Sequence, residues 1–132
     1  MPAVDARSLA LLGSLVRGAW GAGAFAAPEA MRSARMTGDS PDLDLPDPRL
    51  YVRGFGAHQL LVAGFTIAAT RSRRLLRPAL VLSTLLDAVD IASAVAEVRA
   101  RGGADQTTVA GIVFSGSGLA LFAAALRQLD DT

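Results

Sequence analysis

Four long apolar blocks dominate the chain, each about as long as a bilayer is thick. They run from Ser8 to Ala27 (SLALLGSLVRGAWGAGAFAA), Tyr51 to Thr70 (YVRGFGAHQLLVAGFTIAAT), Leu75 to Val98 and Thr107 to Leu129. A helix rises about 1.5 Å per residue, so twenty residues cover about 30 Å, the hydrocarbon depth of a membrane. The blocks show no period-two alternation and are filled with Leu and Ala, which favours helices over strands. A soluble helix of this length carries a broad polar face. Between Val52 and Thr70 the only strongly polar side chains are Arg53, His58 and Gln59. The expected fold is all-α, a single integral membrane domain over 1–132. It is a four-helix transmembrane bundle with helices at about 8–27, 51–70, 75–98 and 107–129. A soluble Ala-rich four-helix bundle is the alternative.

Composition removes several chemistries. Thirteen basic residues against twelve acidic give a net charge of +1, which offers no pull toward nucleic acid. Every basic residue is arginine, so lysine nucleophiles and Schiff bases are excluded. Cysteine is absent, which excludes disulfides, thiol nucleophiles and cysteine-ligated metals. A cleavable leader is weighed because "AFA" at 24–26 follows an apolar stretch, but Arg17 interrupts that stretch and Asp5 precedes it.

Arginine sets the expected orientation. RSRRLLRP at 71–78 carries four arginines and no acid, and short basic loops stay cytoplasmic. The first connection, from Pro28 to Leu50, is acidic: Glu29, Asp39, Asp42, Asp44 and Asp47 outnumber Arg32, Arg35 and Arg49. Four spans then place both termini in the cytoplasm and make the long first loop extracytoplasmic. Arg99 and Arg101 in the third loop weaken this bias, with Glu97 and Asp105 beside them. Within the first loop PEAMRSARM fits a short interfacial helix, and TGDSPDLDLPDP a turn-filled connector. Its D-x-D-x-x-D spacing lacks the glycine and closing glutamate of a calcium-binding EF-hand.

Asp87 and Asp90 stand in the middle of the third block, where an isolated charge costs about 2.5–3.5 kcal/mol on insertion scales. Charges there should pair. Arg17 falls at mid-depth on the first helix, Arg53 near the outer interface and His58 roughly 10 Å deeper by helical rise. The expected cluster pairs Arg17 with Asp87 and Arg53 with Asp90, His58 bridging or titrating beside them. Asp87 and Asp90, three apart, share a helix face with Ser83 and Glu97. Gly13, Gly21 and Ala24 flank Arg17; Gly54, Gly56 and Gly64 lie on the second helix, and Gly111, Ser115 and Gly118 on the fourth. Small residues of this kind let membrane helices approach closely. Trp20 and Tyr51 are expected as interfacial anchors. One histidine and no cysteine make a poor metal site, and none is expected. A shared V-R-G in LVRGAWGAG (15–23) and YVRGFGAHQ (51–59) faintly suggests a helix-pair repeat.

A first helix ending in FAAPEA, a loop of about twenty residues, "LYVRGFGAHQLLVAG", a basic turn and a helix with D-x-x-D together resemble the small DoxX-like four-helix membrane proteins of actinobacteria. Many of these have no known function. The better-known ones are similar to membrane subunits linked to quinone and sulfur redox chemistry, so the resemblance admits a quinone or lipid as ligand. The lack of cysteine departs from any thiol-based role. By the same resemblance Arg53, Gly54 and Gly64 carry the second-helix pattern, and Asp87 and Asp90 the third.

The expected function is that of a small protein of the cell membrane whose Arg/Asp/His cluster serves an accessory or ligand-binding subunit. Its partners would be the bilayer and a homo-oligomer or larger membrane complex. One alternative is a carrier of a small apolar molecule or of protons. Another is a membrane enzyme acting on a lipid or quinone, with His58 and Asp90 as proton donor and acceptor. No recognisable catalytic set favours the enzyme.

Overall fold

A computed structural model describes residues 5–31, 48–104 and 106–131 of the chain. Five helices occur: α1 (Ala6–Ala26), α2 (Pro28–Met31), α3 (Pro48–Ala69), α4 (Arg73–Arg101) and α5 (Gln106–Asp130), with no strand among the described residues. The acidic connector, including Arg32, Arg35, Asp39, Asp42, Asp44 and Asp47, lies outside the described residues, as does Asp105. Of PEAMRSARM, α2 covers the first four residues.

Local chemistry explains where the helices stop. Asp5 caps α1: its carboxylate accepts the Ser8 backbone N–H at 2.8 Å and the Ser8 hydroxyl at 3.3 Å. The Ser8 amide holds the Asp5 carboxyl below the usual aspartate range. The cap therefore contributes above the ordinary aspartate value and is lost as pH falls through the lowered one. At the far end the Ala27 N–H still reaches the Gly23 carbonyl at 2.8 Å, and Pro28 then opens α2. The basic segment 71–78 is a turn only at Arg71 and Ser72. Arg73, Arg74 and Arg77 belong to the first turns of α4, and Pro78 sits inside it at the loss of one helical N–H. Arg99 and Arg101 likewise extend α4 instead of lying in a loop. The helix ends at Gly102, whose φ of 70° is the left-handed geometry glycine tolerates.

Each long helix packs against two others, running opposite to both. Gly21 meets Gly56 and Gln59 while Gly18 meets Ala63, so α1 and α3 are antiparallel. Thr66 bonds Ser83 and Gln59 bonds Asp90, which reverses α4 against α3. Gly118 lies against Asp87, and Arg77 pairs with Asp130 at 3.1 Å, which reverses α5 against α4. Gly13 abuts Phe122, and Trp20 stacks on Phe114 at 4.9 Å, which closes α5 on α1. Contacts between α3 and α4 are the sparsest of the four.

The buried positions follow a three-four spacing. On α1 they include Ala6, Ala10, Gly13, Arg17, Gly21 and Ala24, and on α3 Val52, Gly56, Gln59, Ala63 and Thr66. This is the seam of helices packed nearly in line. Its content is inverted relative to a soluble protein. Arg17 and Asp87 are 2% and 1% exposed and Gln59 is fully buried, whereas Leu61 is 75%, Val113 63% and Leu15 62% exposed. Three helices are long and apolar enough to cross a membrane, at Ala6–Ala26, Arg73–Ala100 and Thr108–Asp130. The second block, expected as a fourth such span, forms α3 but is not among them. Arg53, His58 and Gln59 lower its hydropathy.

Of the seven glycines expected at helix contacts, four are there. A Cβ on Gly56 would stand 2.6 Å from the Phe25 nitrogen and 2.7 Å from the Gly21 carbonyl; on Gly21, 2.9 Å from the Gly56 carbonyl. On Gly13 it would meet the Phe122 ring at 2.8 Å, and on Gly118 the Asp87 carboxylate. Gly54, Gly64 and Gly111 correct the expectation: nothing lies within 4 Å of their added Cβ, because they point away from the seam. Gly56→Ala should therefore lower stability by about 1–3 kcal/mol through forced separation of two backbones. Gly64→Ala should raise it by about 0.5–1 kcal/mol through helix propensity. Thermal unfolding of the two purified variants checks both signs.

Candidate functional site

The polar seam positions of four helices meet halfway along their lengths. Arg17 on α1 is the hub. Its Nη1 donates to Gln59 Oε1 on α3 at 3.0 Å, and its Nη2 donates to Asp87 Oδ1 at 2.5 Å and to the Ser83 carbonyl on α4 at 3.2 Å. The guanidinium carbon lies 5.3 Å from the centre of the Phe122 ring on α5, a cation–π distance. Gln59 then passes its amide on, Nε2 donating to Asp90 Oδ2 at 3.1 Å. Beside this chain Thr66 and Ser83 share a hydroxyl–hydroxyl bond of 3.0 Å.

The arrangement corrects the expected cluster in one half. Arg17 and Asp87 are brought together in a buried ion pair. Arg53 and His58 are not: both stand exposed on α3, and Asp90 is met by Gln59. Helical rotation is the reason. The α3 seam runs through Val52, Gly56, Gln59, Ala63 and Thr66, and Arg53 and His58 each sit one position off it, turned by about 100°. No hydrogen bond joins His58 to Asp90 among the described residues. The V-R-G echo also fails to mark equivalent places, since Arg17 is buried and Arg53 exposed. Glu97, assigned to the Asp87 face, is exposed, while Ser83 is buried. Trp20 is half-buried and stacked on Phe114, and Tyr51 is 64% exposed in the first turn of α3.

Gln59 is the member that the hunt for charged residues passed over. Its position three after Gly56 on the small-residue seam is the signal that would have found it. Ser14, buried beside Arg17 in sequence, was passed over for the same reason.

The cluster holds one arginine against two aspartates. Three of its buried polar atoms have no partner: Ser14 Oγ, Arg17 Nε and Asp87 Oδ2. Arg17 and Asp87 border a small cavity of about 10 Å³, lined also by Gly13, Val16, Phe114, Gly118 and Leu121. That is room for one water molecule and far too little for a quinone ring or an acyl chain. Gly118 creates the space, because a Cβ there would lie 2.6 Å from Asp87 Oδ2. On the side of the chain termini the cluster is closed by an apolar layer of Ala6, Ala10, Leu76, Leu80, Phe122 and Ala125. On the other side Asp90 remains only half-buried. Among the described residues no three His, Cys, Asp or Glu side chains gather as metal ligands.

Comparison with protein-family models, with curated proteins and with solved structures yields no match.

Removing one partner of a buried ion pair strands the other. Arg17→Met should destabilise the protein by about 3–5 kcal/mol, and Arg17→Met combined with Asp87→Leu should recover most of that loss. Arg53→Gln and His58→Gln should each stay within about 0.5 kcal/mol of the parent. Denaturation of the four variants under one condition, with Asp87→Leu alone added to complete the cycle, checks the assignment of inside and outside.

Proposed function

We propose that this chain is a multi-pass protein of the cell membrane, a four-helix transmembrane bundle with both termini in the cytoplasm. One observation carries it: Arg17, Gln59 and Asp87 are buried at the centre while large apolar side chains stand exposed on each of the four long helices. In water that arrangement exposes greasy surface on every helix while burying an arginine; in lipid each choice is the favourable one. Exposed Arg71, Arg73, Arg74 and Arg77 at the α3–α4 turn support a cytoplasmic turn, with the α4–α5 connection and the long first connection outside. α3 makes the fourth span by virtue of its neighbours, its polar Gln59 being paired inside the protein.

Within that setting the Arg17–Gln59–Asp87–Asp90 cluster serves a binding or accessory subunit. Arg53 and His58, polar and exposed on α3, favour a protein neighbour over lipid on that face, which supports a homo-oligomer or a larger membrane complex. Kinship with the DoxX-like proteins is proposed on the sequence resemblance alone, through the order of apolar blocks and the D-x-x-D. The water-sized cavity argues against a quinone or lipid held at Asp87, and favours a carrier of protons over a carrier of apolar molecules.

The absence of cysteine makes the topology directly testable. Single Ser72→Cys and Ala104→Cys variants in intact cells, probed with a membrane-impermeant maleimide, should label only at position 104. Labelling of position 72 alone would invert the orientation. A chain released from membranes by carbonate, or monodisperse in buffer without detergent, would remove the bilayer altogether.

A further inference from the structure

The charge count at the centre does not close. Had Arg53 turned inward, two arginines would have faced two aspartates. Instead, among the described residues, Arg17 alone is paired with the two acids, directly to Asp87 and through Gln59 to Asp90. From α3 the facing group is the neutral Gln59, with Arg53 and His58 exposed; from α5 it is Gly118, with Ser115 and Phe122 buried beside it. On α4 itself the neighbouring polar group is Ser83, again uncharged. The Arg77–Asp130 pair lies at the chain-terminal ends of its helices, beyond the apolar layer.

With both carboxylates ionised, the interior would hold one uncompensated negative charge among apolar walls, a costly state unless a cation or proton joins it. A metal cation is poorly served. Asp87 Oδ2, the unpartnered oxygen, faces a cavity whose other walls are glycine, valine, phenylalanine and leucine apart from Arg17, with no further oxygen ligands. A proton needs none. The cavity accommodates one water, which has the right pair of functions for its two orphaned borders: it accepts from Arg17 Nε and donates to Asp87 Oδ2.

We propose that Asp87 and Asp90 together hold one exchangeable proton at the centre of the molecule, reached through the half-buried Asp90 side and blocked on the other by the apolar layer. The step balances simply. An O–H bond forms at a carboxylate oxygen as a hydronium ion from the Asp90 side gives up its proton and leaves as water; release is the reverse, and nothing is oxidised or reduced. Protonated, the cluster is neutral; deprotonated, it carries one negative charge, with Arg17 paired to Asp87 and Gln59 donating to Asp90. The proton belongs to the coupled pair and not to one residue. This deepens the proton-carrier variant of the membrane assignment above and rests on it.

Infrared difference spectroscopy of the full chain, purified in detergent with ¹³C-labelled aspartate, tests it between about pH 5 and pH 8, where exposed aspartates are already ionised. The expected result is one aspartic-acid carbonyl band in the parent at the acid end. That band should be lost in Asp87→Asn and in Asp90→Asn, because either change leaves a single carboxylate balanced by Arg17. Absence of the band from the parent overturns the proposal, and so does a band of full intensity in both variants. The parent spectrum decides the question even where a variant fails to fold. A protein that needs detergent but shows no band sinks the proton alone, whereas a band seen in detergent-free, monodisperse protein sinks the membrane assignment alone.

Discussion

A buried guanidinium is among the most demanding objects a small protein can contain, and the arrangement of the four long helices follows from accommodating the one on Arg17. It requires acceptors from several directions, and it obtains them from a carboxylate and a carbonyl on α4 and an amide on α3. It also requires room. Gly13 and Gly118 supply that on either side, the first giving way to Phe122 and the second to Asp87. Replacing a buried ion pair by apolar side chains is often neutral or better for stability. Its value here lies in register: a one-residue slip of α3 or α4 would turn an acceptor by about 100° and take it away from the guanidinium.

Close approach of the backbones complements the polar hub. Where α1 meets α3, glycine faces glycine and carbonyl oxygens lie where side chains would ordinarily stand. Helices surrounded by lipid gain little from hiding apolar area from one another, so packing of small residues and internal hydrogen bonds must hold them together. The seams of α1 and α3 are composed accordingly of alanine, glycine, the polar members and, on α3, valine, while the leucines and phenylalanines of α3 point outward.

Much of this was legible in the sequence, because block length, leucine and alanine content and the proline at 28 each act locally. The helices fall close to the four blocks, and Asp87 and Arg17 meet as charges confined to an apolar interior must. What escaped is rotational. Knowing that Arg53, His58 and Gln59 share a helix does not say which of them faces inward, and charge was taken as the guide when small-residue spacing was the better one. Gly56 fixes the face of α3, and Gln59 lies on it. The basic segment reads as a loop because arginines and proline signal one, yet α4 begins at Arg73 and runs through Pro78 at the loss of one N–H. The stacking of Trp20 on Phe114 was likewise not legible, since it depends on the rotation of α5, which no local feature reveals.

The chain separation within the ion pair bears on how the protein is made. Arg17 and Asp87 lie seventy residues apart, so the guanidinium emerges from the ribosome long before its counter-ion exists. During that interval the α1–α3 hairpin, fastened at Gly21 and Gly56, can offer it only the neutral oxygen of Gln59. The full set of acceptors around Arg17 therefore exists only once α4 has been made.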